Sequence, residues 1–112
     1  MSKEAGIQNA IEHYLALLEN QGKLIYIKNN TGAFQTPRGG FYRMGKRGSS
    51  DFIIAVKDGK TLWVEVKNEK GKQNNNQLLF ESDIKKLGHK YFIVRSVEDV
   101  EKLLDDLKIT YN

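Results

Sequence analysis

A chain of 112 residues fits one compact domain, with no room for a second that has its own core. Hydrophobic residues make up 39% and charged residues 29%, a balance that supports a modest core under a charged surface, and the lack of cysteine excludes disulfides, a thiolate nucleophile and Cys-ligated zinc. The net charge of +4 is unevenly spread: both ends are acidic on balance, whereas residues 20–50 hold six basic side chains and no acidic one.

From Lys3 to about Gln21 the apolar residues Ile7, Ile11, Tyr14, Leu15 and Leu18 recur at helical spacing, and Asn20-Gln21-Gly22 supplies a stop. Glu4 and Gln8 lie on the face those residues define. A carboxylate turned inward asks for a partner such as a metal site between this helix and the sheet; the same position also fits a frayed first turn, with Gln8 capping something local. Leu24 to Ile27 is a short β-prone run that ends in the turn-forming cluster Lys28 to Gly32. The stretch from Thr36 to Gly48 mixes Arg38, Arg43, Lys46 and Arg47 with aromatics and four glycines and follows neither hydrophobic period, so it is expected to be a long mobile loop. Guanidinium and ammonium groups there suit phosphate oxygens, and Phe41 or Tyr42 suits a base or the underside of the loop, which points to a nucleic acid; a solvated surface loop is the alternative.

Phe52 to Val56 and Thr61 to Val66 are expected to be two strands joined across Lys57-Asp58-Gly59-Lys60. After a polar loop, Gln77 to Leu87 places Gln77, Phe80, Ile84 and Leu87 on one helical stripe that stops at Gly88. Tyr91 to Val94 is a fourth strand. Ser96 caps a last helix from Val97 to about Leu107, with Glu98 and Asp99 at its positive end. The expected order is α-β-β-β-α-β-α. The longest apolar run, Phe52 to Val56, is far too short to cross a membrane, and Met1-Ser2-Lys3-Glu4 opens no secretory signal, so a cytoplasmic protein is expected.

The chemistry gathers at one end of the central hairpin. Asp51 begins one strand, and Glu65-Val66-Lys67 ends the other. Alternation sends Glu65 and Lys67 to one face and Val66 to the other. A two-residue turn at Asp58-Gly59 would pair Asp51 with Val66 and turn its carboxylate away. A type I turn over Lys57-Asp58 with a left-handed Gly59 would pair Val56 with Lys60 and set Asp51 opposite Glu65. Two adjacent carboxylates repel unless one holds a proton or a cation lies between them. Mg²⁺ suits that arrangement, held by Asp51, Glu65 and the Val66 carbonyl, with Lys67 orienting or deprotonating the attacking water or offsetting charge at phosphorus. Taken alone, Glu-x-Lys at a strand end is an ordinary solvated ladder pair. His13 and His89 have no partner at ligand spacing and are expected at the surface.

Together these residues resemble the small stand-alone VRR-NUC domains, a branch of the PD-(D/E)XK nuclease superfamily often encoded by phages. The likeness runs through Glu4-x-x-Ile7-Gln8, Lys28-x-Asn30-x-Gly32, Gly48-x-x-Asp51, Glu65-Val66-Lys67, Gln77-x-x-Phe80 and Gly88-x-x-Tyr91 with Ser96-Val97-Glu98-Asp99-Val100. Ser50 stands where the family often has proline, and Lys28 replaces its usual arginine. The resemblance implies a restriction-endonuclease-like α/β fold over residues 1–112, an α-β-β-β-α-β core with a mixed central sheet flanked by helices. It implies a DNA endonuclease using Mg²⁺ or Mn²⁺, with Asp51, Glu65 and Lys67 catalytic, Glu4 assisting the metal and Gln77 supporting the site. DNA contacts are expected from Lys28, Asn30, Arg38, Arg43, Lys46, Arg47, Lys70 and Lys72. It further implies a homodimer acting on duplex or branched DNA such as four-way junctions, in a host's cytoplasm if phage-encoded. A binding module without turnover and a protein-interaction domain are the competing readings.

Overall fold

The computed structural model describes residues 3–107. Helix α1 (Glu4–Asn20) leads into strand β1 (Ile25–Lys28), followed by β2 (Gly32–Gln35), β3 (Phe41–Met44), β4 (Phe52–Val56), β5 (Lys60–Val66), helix α2 (Asn75–Lys86), β6 (Lys90–Val94) and helix α3 (Val97–Asp106). The main sheet has the order β1-β4-β5-β6, antiparallel except for the β5–β6 pair. That parallel pair needs a crossover, which α2 supplies. The α/β fold is therefore a mixed sheet between helices, as expected.

Alternation along the strands makes two cores. Phe52, Ile54 and Val56 of β4 and Leu62, Val64 and Val66 of β5 turn to one face, where Ile11, Leu15 and Leu18 of α1 and Val100, Leu103 and Leu104 of α3 cover them. Trp63 turns to the other face and packs with Phe80, Ile84, Tyr91 and Ile93 beneath α2. Glu65 and Lys67 follow Trp63 at two-residue steps and so belong to the α2 side.

Two local expectations are corrected. The stretch from Thr36 to Gly48 is not a long loop, because β3 within it pairs antiparallel with β2 just before it, Gly32 with Met44 through Gln35 with Phe41. Its turn has the chemistry of a type I turn with a G1 bulge: Pro37 follows Thr36, Gly39 takes φ 86°, and Gly39 N–H donates to Thr36 C=O at 3.0 Å. Nearly every side chain of this ribbon is exposed, which erases the apolar-in alternation that identifies a strand. At the other hairpin, Val56 does pair with Lys60, which is the register that sets Asp51 across from Glu65. The backbone there differs from a type I turn, since Asp58 (φ 66°) and Gly59 (φ 72°) are both left-handed. Asp and Gly tolerate that conformation better than most residues.

Candidate active site

Asp51 is fixed from two sides. Its C=O accepts from Asn29 N–H at 2.8 Å, which ties it to the end of β1, and its Oδ2 accepts from Val66 N–H at 2.8 Å. The side chain thus takes the place of a main-chain acceptor just where the β4–β5 ladder ends, and the carboxylate is held at the end of β5. Glu65 is only 2% exposed. Its Oε2 accepts from Gln77 Nε2 at 2.9 Å and lies 3.8 Å from Lys67 Nζ, while Oε1 is buried with no hydrogen-bond partner.

Without a cation, a proton on Glu65 that bonds to Asp51 relieves this pair. Burial and the neighbouring Asp51 charge push the Glu65 carboxyl up to about 8, against the pull of the Lys67 ammonium. An orphaned buried oxygen is costly, of order 1–3 kcal/mol. Two carboxylates and a nearby main-chain carbonyl at Val66 form an all-oxygen donor set of the kind Mg²⁺ takes, with the remaining positions left to water and phosphate. The residues therefore fit a hard divalent cation.

Gln77 is positioned by a capping box. Asn74, the N-cap of α2, accepts from Gln77 N–H at 2.9 Å, and Gln77 Oε1 accepts from Asn74 N–H at 3.0 Å. The Gln77 amide is then oriented so that its Nε2 meets Glu65. The helix starts two residues earlier than expected, and the signal was in the sequence as Asn74-x-x-Gln77. Changing Gln77 to Glu retains an acceptor for Asn74 N–H but faces Glu65 with a carboxylate. Any nucleolytic activity at this site is expected to fall about 10–100-fold in this variant, with helix content by circular dichroism unchanged.

Glu4 is half-buried in the first turn of α1, which packs on the opposite face of the sheet from Gln77. Its charge reaches Glu65 as the weakest of the influences that raise that carboxyl. Among the described residues no three His, Cys, Asp or Glu side chains come together as a metal-holding group, so Glu4 does not complete a third corner.

Asn29, which sequence reasoning passed over in favour of its neighbour Asn30, closes the ground beneath Asp51. Its Nδ2 donates to Ser49 Oγ and to Ser50 C=O, both at 2.8 Å. These bonds bring together the two legs of the β2–β3 hairpin. No spacing rule reveals them, because the partners are 20 and 21 residues away. Replacing Asn29 by Ala is expected to weaken any divalent-cation binding beside Asp51 about tenfold, which calorimetric titration of Mn²⁺ measures.

The expected DNA-contacting residues fall in two exposed groups. Arg38, Arg43, Lys46 and Arg47 are exposed on the hairpin and its exit. Lys70 and Lys72 are exposed on the loop after Lys67, which Arg95 fastens by donating from Nη1 to Asn68 C=O at 2.6 Å and Gly71 C=O at 2.9 Å. Lys28 instead pairs with Glu12 at 3.7 Å, and Asn30 is exposed next to it.

No family model matches the chain, and no curated protein matches it in sequence. A solved structure described as a VRR_NUC domain is similar over 94% of this chain and 97% of that one, with a TM-score of 0.65 and 24% identity. The chain thus has the fold of a VRR-NUC domain, in agreement with the resemblance in its motifs. No helix among the described residues is long and apolar enough to cross a membrane.

Proposed function

We propose that the protein is a metal-dependent endonuclease that hydrolyses DNA phosphodiester bonds. One observation carries this reading: a buried Glu65 with an unpartnered oxygen stands beside Asp51, with Lys67 Nζ 3.8 Å away, on a fold shared with a VRR-NUC domain. Asp51, Glu65 and the Val66 carbonyl would hold Mg²⁺ or Mn²⁺, with Glu4 adding negative charge from the first turn of α1. When bound, such a cation supplies Lewis-acid polarisation of the phosphodiester and favours ionisation of water.

The chain's own residues do the rest. Glu65 would hold the cation as a carboxylate, because the burial beside a like charge that raises its pKa is what a bound cation would offset. Gln77 holds Glu65 in place, and Lys67 orients the attacking water and offsets charge that builds at phosphorus. Arg38, Arg43, Lys46, Arg47, Lys70 and Lys72, with Lys28 and Asn30 at the arm's root, would hold the flanking phosphates. A homodimer cutting branched DNA in the cytoplasm is the finer form of the reading, supported by the resemblance in the motifs. The alternative, a binding module without turnover, is favoured by the lack of a third acidic ligand among the described residues.

Strand cleavage of labelled duplex, flap and four-way junction DNA with Mg²⁺, Mn²⁺ or EDTA tests the proposal. Cutting that needs metal and is lost in Lys67→Ala is the expected result. Salt-sensitive binding with no cutting of any substrate would leave the binding module.

A further inference from the structure

The β2–β3 ribbon stands apart from the rest of the protein. No Cα of β2 or β3 comes within 8 Å of another helix or strand, and the molecule measures 52 × 33 × 28 Å along its principal axes. A two-stranded ribbon on its own is at best marginally stable in water. This one nevertheless exposes large apolar side chains: Phe41 is 79% exposed, Tyr42 61% and Phe34 52%.

The register sorts them. Phe34 lies opposite Tyr42, on the same face as Met44, while Phe41 lies opposite Gln35 on the other face next to the turn. Among the described residues the rings of Phe34, Phe41 and Tyr42 pack against no other ring, and more than half of each side chain faces solvent. Around them Arg38, Arg43, Lys46 and Arg47 have no acidic ion-pair partner among the described residues, and residues 20–50 contain no acidic residue at all. The ribbon's two legs join at Asn29 and Ser49, beside Asp51.

We propose that this arm is a stacking platform for unpaired bases of the same nucleic acid whose backbone enters the Asp51–Glu65 site. Open aromatic faces interleaved with cations and no anions fit a polyanion whose bases are free to stack. Bases inside a duplex are already covered by their neighbours, and phenylalanine offers no hydrogen bond to a base edge in a groove. A second copy of the chain meeting arm to arm would set four cations against four. The inference rests on the nucleic-acid reading of the site but not on turnover there.

The test measures binding by the full-length protein in EDTA, so that no cleavage intervenes. The probes are a blunt duplex and the same duplex with a single-stranded overhang, each carrying 2-aminopurine. Wild type is expected to bind the overhang at least about tenfold more tightly than the blunt duplex and to quench its 2-aminopurine. The double variant Phe41→Ala, Tyr42→Ala is expected to bring that preference close to one, with an unchanged thermal midpoint. The double variant Lys46→Gln, Arg47→Gln is expected to weaken both probes, flatten the salt dependence and retain the preference.

Equal affinity for both probes in wild type, or an overhang preference that survives loss of both aromatics, would overturn the proposal. So would a dimer in sedimentation that the aromatic variant dissociates without any effect specific to unpaired bases, because the arm would then serve a second copy. Overhang preference without cleavage in Mg²⁺ would uphold the arm and sink the nuclease. Metal-dependent cleavage by a protein indifferent to overhangs would do the reverse.

Discussion

Replacing Glu65 by Gln is expected to abolish metal-dependent DNA cleavage and, at the same time, to stabilise the metal-free protein at alkaline pH. The first effect follows from removing a proposed direct ligand, so it should exceed the roughly 10–100-fold loss typical of an outer partner. The second follows from proton linkage. Glu65 ionises near 4.5 when unfolded and near 8 when folded, so between those values the folded state holds a proton that the unfolded chain has released. Its contribution to stability is complete below pH 4.5 and is lost as pH rises through 8. Gln keeps the shape and carries no charge to desolvate. Its thermal midpoint at pH 9 without metal should be higher than wild type by about 5 °C, a difference that vanishes below pH 4.5. Paired melts across pH, with cleavage assays at pH 7.5, check both halves. An unchanged melt at pH 9 would mean that Glu65 is not a strained group.

Replacing Gly48 by Ala is expected to be the most damaging small substitution outside the core. Gly48 has φ +82°, and a Cβ there would lie 2.4 Å from the carbonyl oxygen of Asn76 and 2.6 Å from its carbon. Those are backbone atoms in the first turn of α2, so the helix start itself must shift. Backbone strain and the clash together should cost about 2–4 kcal/mol, lowering the midpoint by about 10–20 °C. Because Asn74 and Gln77 ride on that turn, surviving protein should also lose the Gln77–Glu65 bond and cut slowly. Gly59 is the control, since it has φ +72° but nothing within 4 Å of a Cβ. Gly59→Ala should cost about 1 kcal/mol. Equal melting losses for the two variants would contradict the close packing of Gly48 on α2.

The pattern of what the residues disclosed is physical. Glu65 and Lys67 could be placed on one face because a strand's period is two, whereas Asp51 joined them in only one of two open hairpin registers, the one with Val56 opposite Lys60. The ribbon escaped notice because strand periodicity marks a buried face, and this ribbon has none; Thr36-Pro37-Arg38-Gly39 nevertheless carried a turn signal. For Glu4 helical spacing left an inward carboxylate and a frayed first turn equally open; α1 covers the face of the sheet opposite Gln77, and among the described residues no three His, Cys, Asp or Glu side chains gather into a metal-holding group. Asn29 was illegible for a different reason: its partners are a hydroxyl and a carbonyl more than 15 residues away, which no local pattern encodes.

The central claim is that Asp51 and Glu65 form a cation site. Calorimetric titration of Mn²⁺ into the full chain at pH 7, repeated in buffers of different ionisation enthalpy, tests it most directly. One-site binding that releases about one proton, lost in Glu65→Gln, is the predicted result. Absence of binding, or binding of equal strength and equal proton release in Glu65→Gln, would contradict it.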